Sequence, residues 1–179
     1  MEKITHPIYK DYPEQPYISP ERDLIAWEKY PERFHYGIIH KRDMIRVEEG
    51  LLPGDIIMLW RIGFNTFTNE STIPQYFEYR YGVNSEASIA LLLKLGFASV
   101  AGVIDSLDLL TTPQLKRILK DRGLAVSGKK GDLLQRVVTN IPQETLAKLF
   151  SLRRYQITDA GKAILKKYDA IIQRHGPKM

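Results

Sequence analysis

The densest chemistry in this chain is a set of cations around the turn Ser127-Gly128-Lys129-Lys130. Lys116, Arg117, Lys120 and Arg122 precede the turn, and Arg136, Arg153 and Arg154 follow it. Between Thr111 and Arg154 there are 10 basic and 3 acidic residues, a net of +7. Guanidinium and ammonium groups at this density suit a polyanion, and phosphate above all. A helix beginning at Gly131 would add free backbone N–H groups and a positive dipole end beside Ser127, Lys129 and Lys130. No set of base-reading side chains stands out, so contact with a phosphate backbone is expected rather than sequence readout.

Other chemistries are poorly served. The stretch from Gly123 to Lys130 nearly matches G-x-x-x-x-G-K-[ST], but Lys130 stands where a magnesium-binding hydroxyl is needed. A phosphate loop also follows a buried strand, whereas a helical pattern precedes this one, and no later strand ends in a Walker-B aspartate. The chain has no cysteine, which excludes thiolate metal sites, cysteine nucleophiles and redox pairs and fits a reducing compartment. His6, His35, His40 and His175 form no H-E-x-x-H pattern, and His35 and His40 read as structural or exposed. There is no Gly-x-Ser-x-Gly elbow. Glu48, Glu49 and Asp55 come nearest to the carboxylate cluster of a magnesium nuclease, and a helix end plus a cap explain them as well. The expectation is a protein without catalytic residues, cofactor or metal.

The elements that must position the cations are short helices. The 179 residues are 44% hydrophobic and 26% charged, which predicts a globular chain of one medium or two small domains. The net +5 divides into −4 over residues 1–90 and +9 over 91–179. The longest apolar run, Ile89 to Leu93, is far too short to cross a bilayer, and a secretory signal is lacking, so a soluble, cytoplasmic protein is expected. Residues 1–20 carry four prolines and three tyrosines and read as an extended arm, pinned to the surface or offered to a partner. Helices are expected from Ser19 to Tyr30, from His40 to Glu49 and from Pro53 to Ile62, the last also compatible with a buried strand. Residues 63–73 read as a polar loop. Tyr76, Phe77, Tyr79 and Tyr81 then read as core, with base stacking as the other use. A helix capped by Asn84 or Ser85 runs to about Leu95, and 97–100 is a short strand.

Thr111 or Thr112 caps the next helix, with Pro113 in its first turn and Leu115, Ile118 and Leu119 as its apolar stripe. Gly123-Leu124 ends it, Val126 lies in the connection, and Leu133, Leu134, Val137 and Val138 are the apolar set of a second helix. This order, with Ser127-Gly128-Lys129-Lys130 and Arg136, resembles a SAP domain, a helix–extended loop–helix module. Gly131 departs from a good helix former at its position. The resemblance implies binding of double-stranded DNA through its phosphates, with weak sequence preference of the kind that favours A·T-rich minor grooves.

Residues 153–165 place Tyr155-x-Ile157-Thr158-x-x-Gly161 before a basic helix, which resembles the strand that closes the wing of winged-helix proteins. The fold class expected is therefore mainly α, with a SAP-like helix pair inserted in a winged-helix-like unit that has a short two-stranded sheet. The boundaries read as 1–73 for an arm and helical region, 74–105 plus 151–175 for the winged-helix-like unit, and 106–150 for the SAP-like module. The architecture over roughly 50–170 also resembles SAP-bearing proteins of Gram-positive bacteria and their prophages. Two functions compete at this stage: a non-enzymatic DNA-binding accessory protein, and an adaptor whose acidic residues 1–90 hold a protein partner.

Overall fold

The structure is a computed structural model, and it describes residues 4–29 and 37–176. His35, Tyr30 and Pro31 lie outside the described residues. The protein is mainly helical, with a small two-stranded antiparallel sheet. Two compact units divide the chain: unit 1 holds 1–64, 72–99 and 157–179, and unit 2 holds 65–71 and 100–156. These cuts differ from the boundaries expected above, because one helix serves as core for both the N-terminal region and the helices flanking the sheet.

That helix is α2 (Pro53–Ile62) in unit 1. It is apolar on nearly every side, as a helix at the centre of a core must be. Ile56, Ile57, Leu59 and Ile62 are fully buried. Around it pack α4 (Ser85–Lys94), α8 (Asp159–Lys167) and α9 (Asp169–His175). The strand alternative fails here for a local reason. Pro53 opens the helix, and the Leu52 N–H donates to Asp55 Oδ2 at 2.8 Å. Asp55 is itself buried and accepts a second bond from the Ser88 hydroxyl at 2.6 Å. Burial pushes its acid up, and these two bonds pull it back.

The N-terminal arm is pinned. Tyr9 and Trp27 are 1% and 2% exposed and stack at 6.2 Å. The Tyr12 hydroxyl donates to the Ile39 carbonyl at 2.6 Å, and the Tyr17 N–H to that of Gly82 at 2.7 Å. The expected helix from Ser19 is shorter: α1 spans Leu24–Lys29. Ser19 does not cap it, because the helix begins five residues later, at Leu24; the Ser19 N–H and the Arg22 side chain both reach Glu78. Asp23 is the cap instead, accepting the Ala26 N–H at 2.9 Å. The helix expected from His40 to Glu49 is a 3-10 turn, Lys41–Met44, followed by loop. Met44 is its buried apolar residue, while Ile45 is 52% exposed and the Arg46 guanidinium is drawn to Glu14 and to the Gly50 carbonyl. Of the four aromatics, Phe77 and Tyr81 are core, at and after α3 (Tyr76–Tyr79), and Tyr76 and Tyr79 are half-buried. The ring of His175 packs with Tyr76 and Tyr81, and burial beside Arg80 and Arg61 lowers its pKa to about 4.

Strand β1 (Ala98–Val100) pairs with β2 (Tyr155–Ile157), and the chain passes between the units within these strands. The Thr158 hydroxyl caps α8 by accepting the Gly161 N–H at 3.1 Å, and donates to the Gly96 carbonyl at 2.7 Å. A side chain at Gly161 would stand 2.1 Å from the Phe97 carbonyl oxygen, so the Thr-x-x-Gly spacing records a close backbone approach. The segment expected as a polar loop is partly paired. In unit 2, Thr68 bridges to Arg154, and the Tyr155 N–H donates to the Phe67 carbonyl at 2.9 Å.

Unit 2 has its own core beneath the cations. The 3-10 turn Ile104–Leu109 leads into α5 (Thr112–Lys120), α6 (Lys130–Asn140) and α7 (Gln143–Leu149). Leu107, Leu115, Leu119, Leu133, Val137 and Leu146 form one buried cluster. Ile118, Leu124 and Leu134 pack against it, half-buried.

Candidate nucleic-acid interface

Helix α5 begins at a reciprocal cap. The Thr111 hydroxyl accepts the Gln114 N–H at 3.4 Å, and Gln114 Oε1 accepts the Thr111 N–H at 2.7 Å. With Leu115 and Leu119 turned into the core, Lys116, Arg117 and Lys120 are left exposed along the helix, and Arg122 just after it. Among the described residues, none of these four side chains has a hydrogen-bonding or ion-pair partner. They are free cations in a run about two turns long.

The connection from Leu124 to Lys129 is held from behind. Arg136, in the middle of α6, donates through Nη1 to the carbonyls of Ala125 and Ser127, each at 2.9 Å. Gly128 has φ +117°, a backbone region that a side chain rarely enters. Ser127 and Gly128 are exposed at the tip of this connection. Lys129 is the residue before α6 and its side chain is exposed and unpartnered among the described residues. Helix α6 starts at Lys130, one residue before the expected Gly131.

The start of α6 differs in two ways from a fully open cradle. The Lys129 N–H donates to the carboxylate of Asp132 at 2.9 Å, so one donor is already taken and a negative charge sits in the first turn. The Lys130 ammonium donates to the Asp108 carbonyl at 2.6 Å. The same Asp108 presents its carboxylate to Arg154, whose Nη2 lies 2.9 and 2.8 Å from the two oxygens. Arg153 is also occupied: Nη1 donates to the carbonyls of Phe150 and Leu152 at 3.0 and 2.8 Å, over the Phe150 ring.

The eleven residues expected to form one site therefore separate into two sets. Lys116, Arg117, Lys120, Arg122 and Lys129 present free charge, with the exposed backbone at Ser127 and Gly128. Lys130, Arg136, Arg153 and Arg154 spend some or all of their donors on the fold. The residues that sequence reasoning missed are the acidic ones. Asp132, three after Lys129, stands at capping-box spacing and was open to detection. Asp108 lies 22 and 46 residues from its two partners, and local spacing carries no sign of that.

The carboxylates considered for a nuclease are engaged separately. Glu48 and Glu49 both meet the Lys167 ammonium, at 2.8 and 2.6 Å, and Asp55 caps α2. Among the described residues no group of three or more histidine or acidic side chains is placed to hold a metal ion. No helix among them is long and apolar enough to cross a membrane.

Residues 106–141 match the family model of the SAP domain. The matched stretch runs from the 3-10 turn through α5, the connection and α6, and stops before α7 and β2. The chain thus carries a SAP domain, a kind of DNA-binding module. No curated protein and no solved structure matches the chain.

Proposed function

We propose that the protein is a non-enzymatic DNA-binding accessory protein that grips the phosphate backbone of duplex DNA through its SAP domain. The observation that carries this reading is the set of five exposed cations, unpartnered among the described residues, on α5, just after it and at the start of α6. Such charges displace condensed counterions from DNA and give affinity with little sequence preference. The Arg136 clamp on the connection supports it further, because a held loop loses less freedom on binding.

Fluorescence anisotropy with a labelled duplex tests the reading. Binding in the micromolar range or tighter is expected at low salt. The logarithm of the association constant should fall with that of salt at a slope of about −4, roughly −0.9 for each phosphate neutralised. A slope near zero, or no binding at low salt, rejects it. Incubation with supercoiled plasmid and magnesium or manganese should leave the plasmid intact; nicking would reject the non-enzymatic part.

Asp132 supplies a prediction of opposite sign. In Asp132→Asn the side-chain oxygen still accepts the Lys129 N–H, but the carboxylate charge beside the proposed phosphate is gone. Duplex affinity should rise by roughly threefold at low salt, with stability changed by no more than about 1 kcal/mol. Weaker binding in this variant would place the DNA elsewhere.

A further inference from the structure

Unit 1 contains a cavity of about 300 Å³ whose wall is built from charged groups on three elements. The 3-10 turn Lys41–Met44 contributes Arg42 and Asp43, with His40 just ahead of it. Arg80 follows α3, and Arg174 comes from α9. None of these residues belongs to the SAP domain, and they take no part in the reading proposed above.

Each group has a defined state. Arg80 is fixed: its guanidinium donates to the carbonyls of Arg174 and His175 at 2.9 and 3.3 Å and lies 5.3 Å from the Tyr81 ring centroid. Arg42 and Arg174 are exposed, and among the described residues neither guanidinium meets a protein acceptor. Asp43 is the opposite case. It is 5% exposed, and among the described residues no donor reaches its carboxylate. Burial pushes its acid up against the opposing pull of Arg42, Arg174, His40 and Arg80.

Among the described residues the Asp43 carboxylate has no side-chain donor, and the Arg42 and Arg174 guanidinium groups that share its cavity have no protein acceptor. One kind of ligand answers both needs: an anion with several oxygens that also carries a hydroxyl proton. A phosphate group fits. Its oxygens accept from guanidinium forks, and the P–OH of its singly ionised ester form, whose second pKa is about 6, donates to a carboxylate. A sulfate matches the oxygens but has no proton to give at neutral pH. We infer that this cavity binds the phosphate group of a phosphomonoester, with Arg42, Arg80 and Arg174 on its oxygens and Asp43 accepting its hydroxyl. The ester belongs either to a small molecule or to the end of a nucleic-acid strand. A cavity of this size is at the small end of ligand sites and suits a headgroup of that kind.

Isothermal titration calorimetry on the full chain at about pH 6, where monoesters still keep a P–OH, tests this with inorganic phosphate, sulfate and a nucleoside 5′-monophosphate. The phosphate and the monoester should bind at least about 10-fold more tightly than sulfate. The double variant Arg42→Ala/Arg174→Ala, which changes only exposed side chains, should lose about 10-fold or more for both. Asp43→Asn should erase the preference over sulfate, since an amide can donate to either anion. Absence of phosphate binding at ~10 mM would overturn the inference, as would unchanged binding in the double arginine variant. A preserved preference in a folded Asp43→Asn would overturn the role of Asp43; should that variant fail to fold, the arginine variant still decides. A short single strand, 5′-phosphorylated or 5′-hydroxyl, separates the sources. A preference for the phosphorylated end that vanishes in the arginine variant assigns the strand terminus, and equal affinity for the two strands assigns the small ester.

Discussion

Replacing Lys116, Lys120, Arg122 and Lys129 together by alanine lowers duplex affinity by about 100-fold at 0.1 M salt and takes about 3 from the magnitude of the salt slope. Each cation that sits on a phosphate contributes roughly 0.9 to that slope, so three to four lost contacts give the change. The variant separates charge from fold because all four side chains are exposed and unpartnered among the described residues. Alanine is also the best helix former for the two positions on α5. The far-ultraviolet circular dichroism and the melting temperature should stay those of the native chain. Affinity within about threefold of native would sink the proposed interface. A Lys129→Ala/Lys130→Ala pair, the natural choice from sequence, is a poorer test. Lys130 holds the Asp108 carbonyl, so its loss mixes a change in binding with a change in structure. Arg136→Ala has the same fault, since it frees the carbonyls of Ala125 and Ser127.

The second large effect concerns stability. Gly161→Ala should destabilise the protein by about 3 kcal/mol, seen as a fall in melting temperature of roughly 6–12 °C. The new methyl would stand 2.1 Å from the Phe97 carbonyl oxygen and 2.8 Å from Ile157 Cγ1. Both neighbours are fixed: the Phe97 carbonyl accepts the Thr158 N–H at 3.1 Å, and Ile157 belongs to β2. Relief requires the first turn of α8 to lift from β1, which breaks the bond from the Thr158 hydroxyl to the Gly96 carbonyl. Gly131→Ala is the control. That position is helical with open space around it, so the same substitution should be neutral or stabilise by up to about 1 kcal/mol. A melting temperature for Gly161→Ala within about 2 °C of native would remove the close approach from the explanation.

What sequence made readable was whatever depends on near neighbours. The cap at Thr111, the stripe of Leu115 and Leu119, the cap at Thr158 and the strand before it all follow from residues within one turn of each other. The SAP domain was legible for the same reason, as a local pattern of two helices and a loop. The failures share the opposite cause. Ser19 had good capping chemistry, yet its backbone is tied to Glu78, 59 residues away, and the helix begins only at Leu24. The segment after His40 had helical composition, but Arg46 is drawn 32 residues back to Glu14. Among the cations, Arg154 looks as free as Lys116 on the page, and only the fold shows Asp108 against it.

The order in which the segments leave the ribosome has an odd consequence. Unit 1 begins the chain but takes α8 and α9 from its last stretch, whereas unit 2 needs nothing beyond residue 156. During synthesis unit 2, with the SAP domain, is complete first, and the N-terminal half must wait, with the apolar α2 uncovered on the sides that α8 and α9 close. At 5–20 residues per second that wait is about a few seconds. The interval is a window for chaperone capture or self-association, and it ends only when Arg80 can fasten the carbonyls at the end of α9.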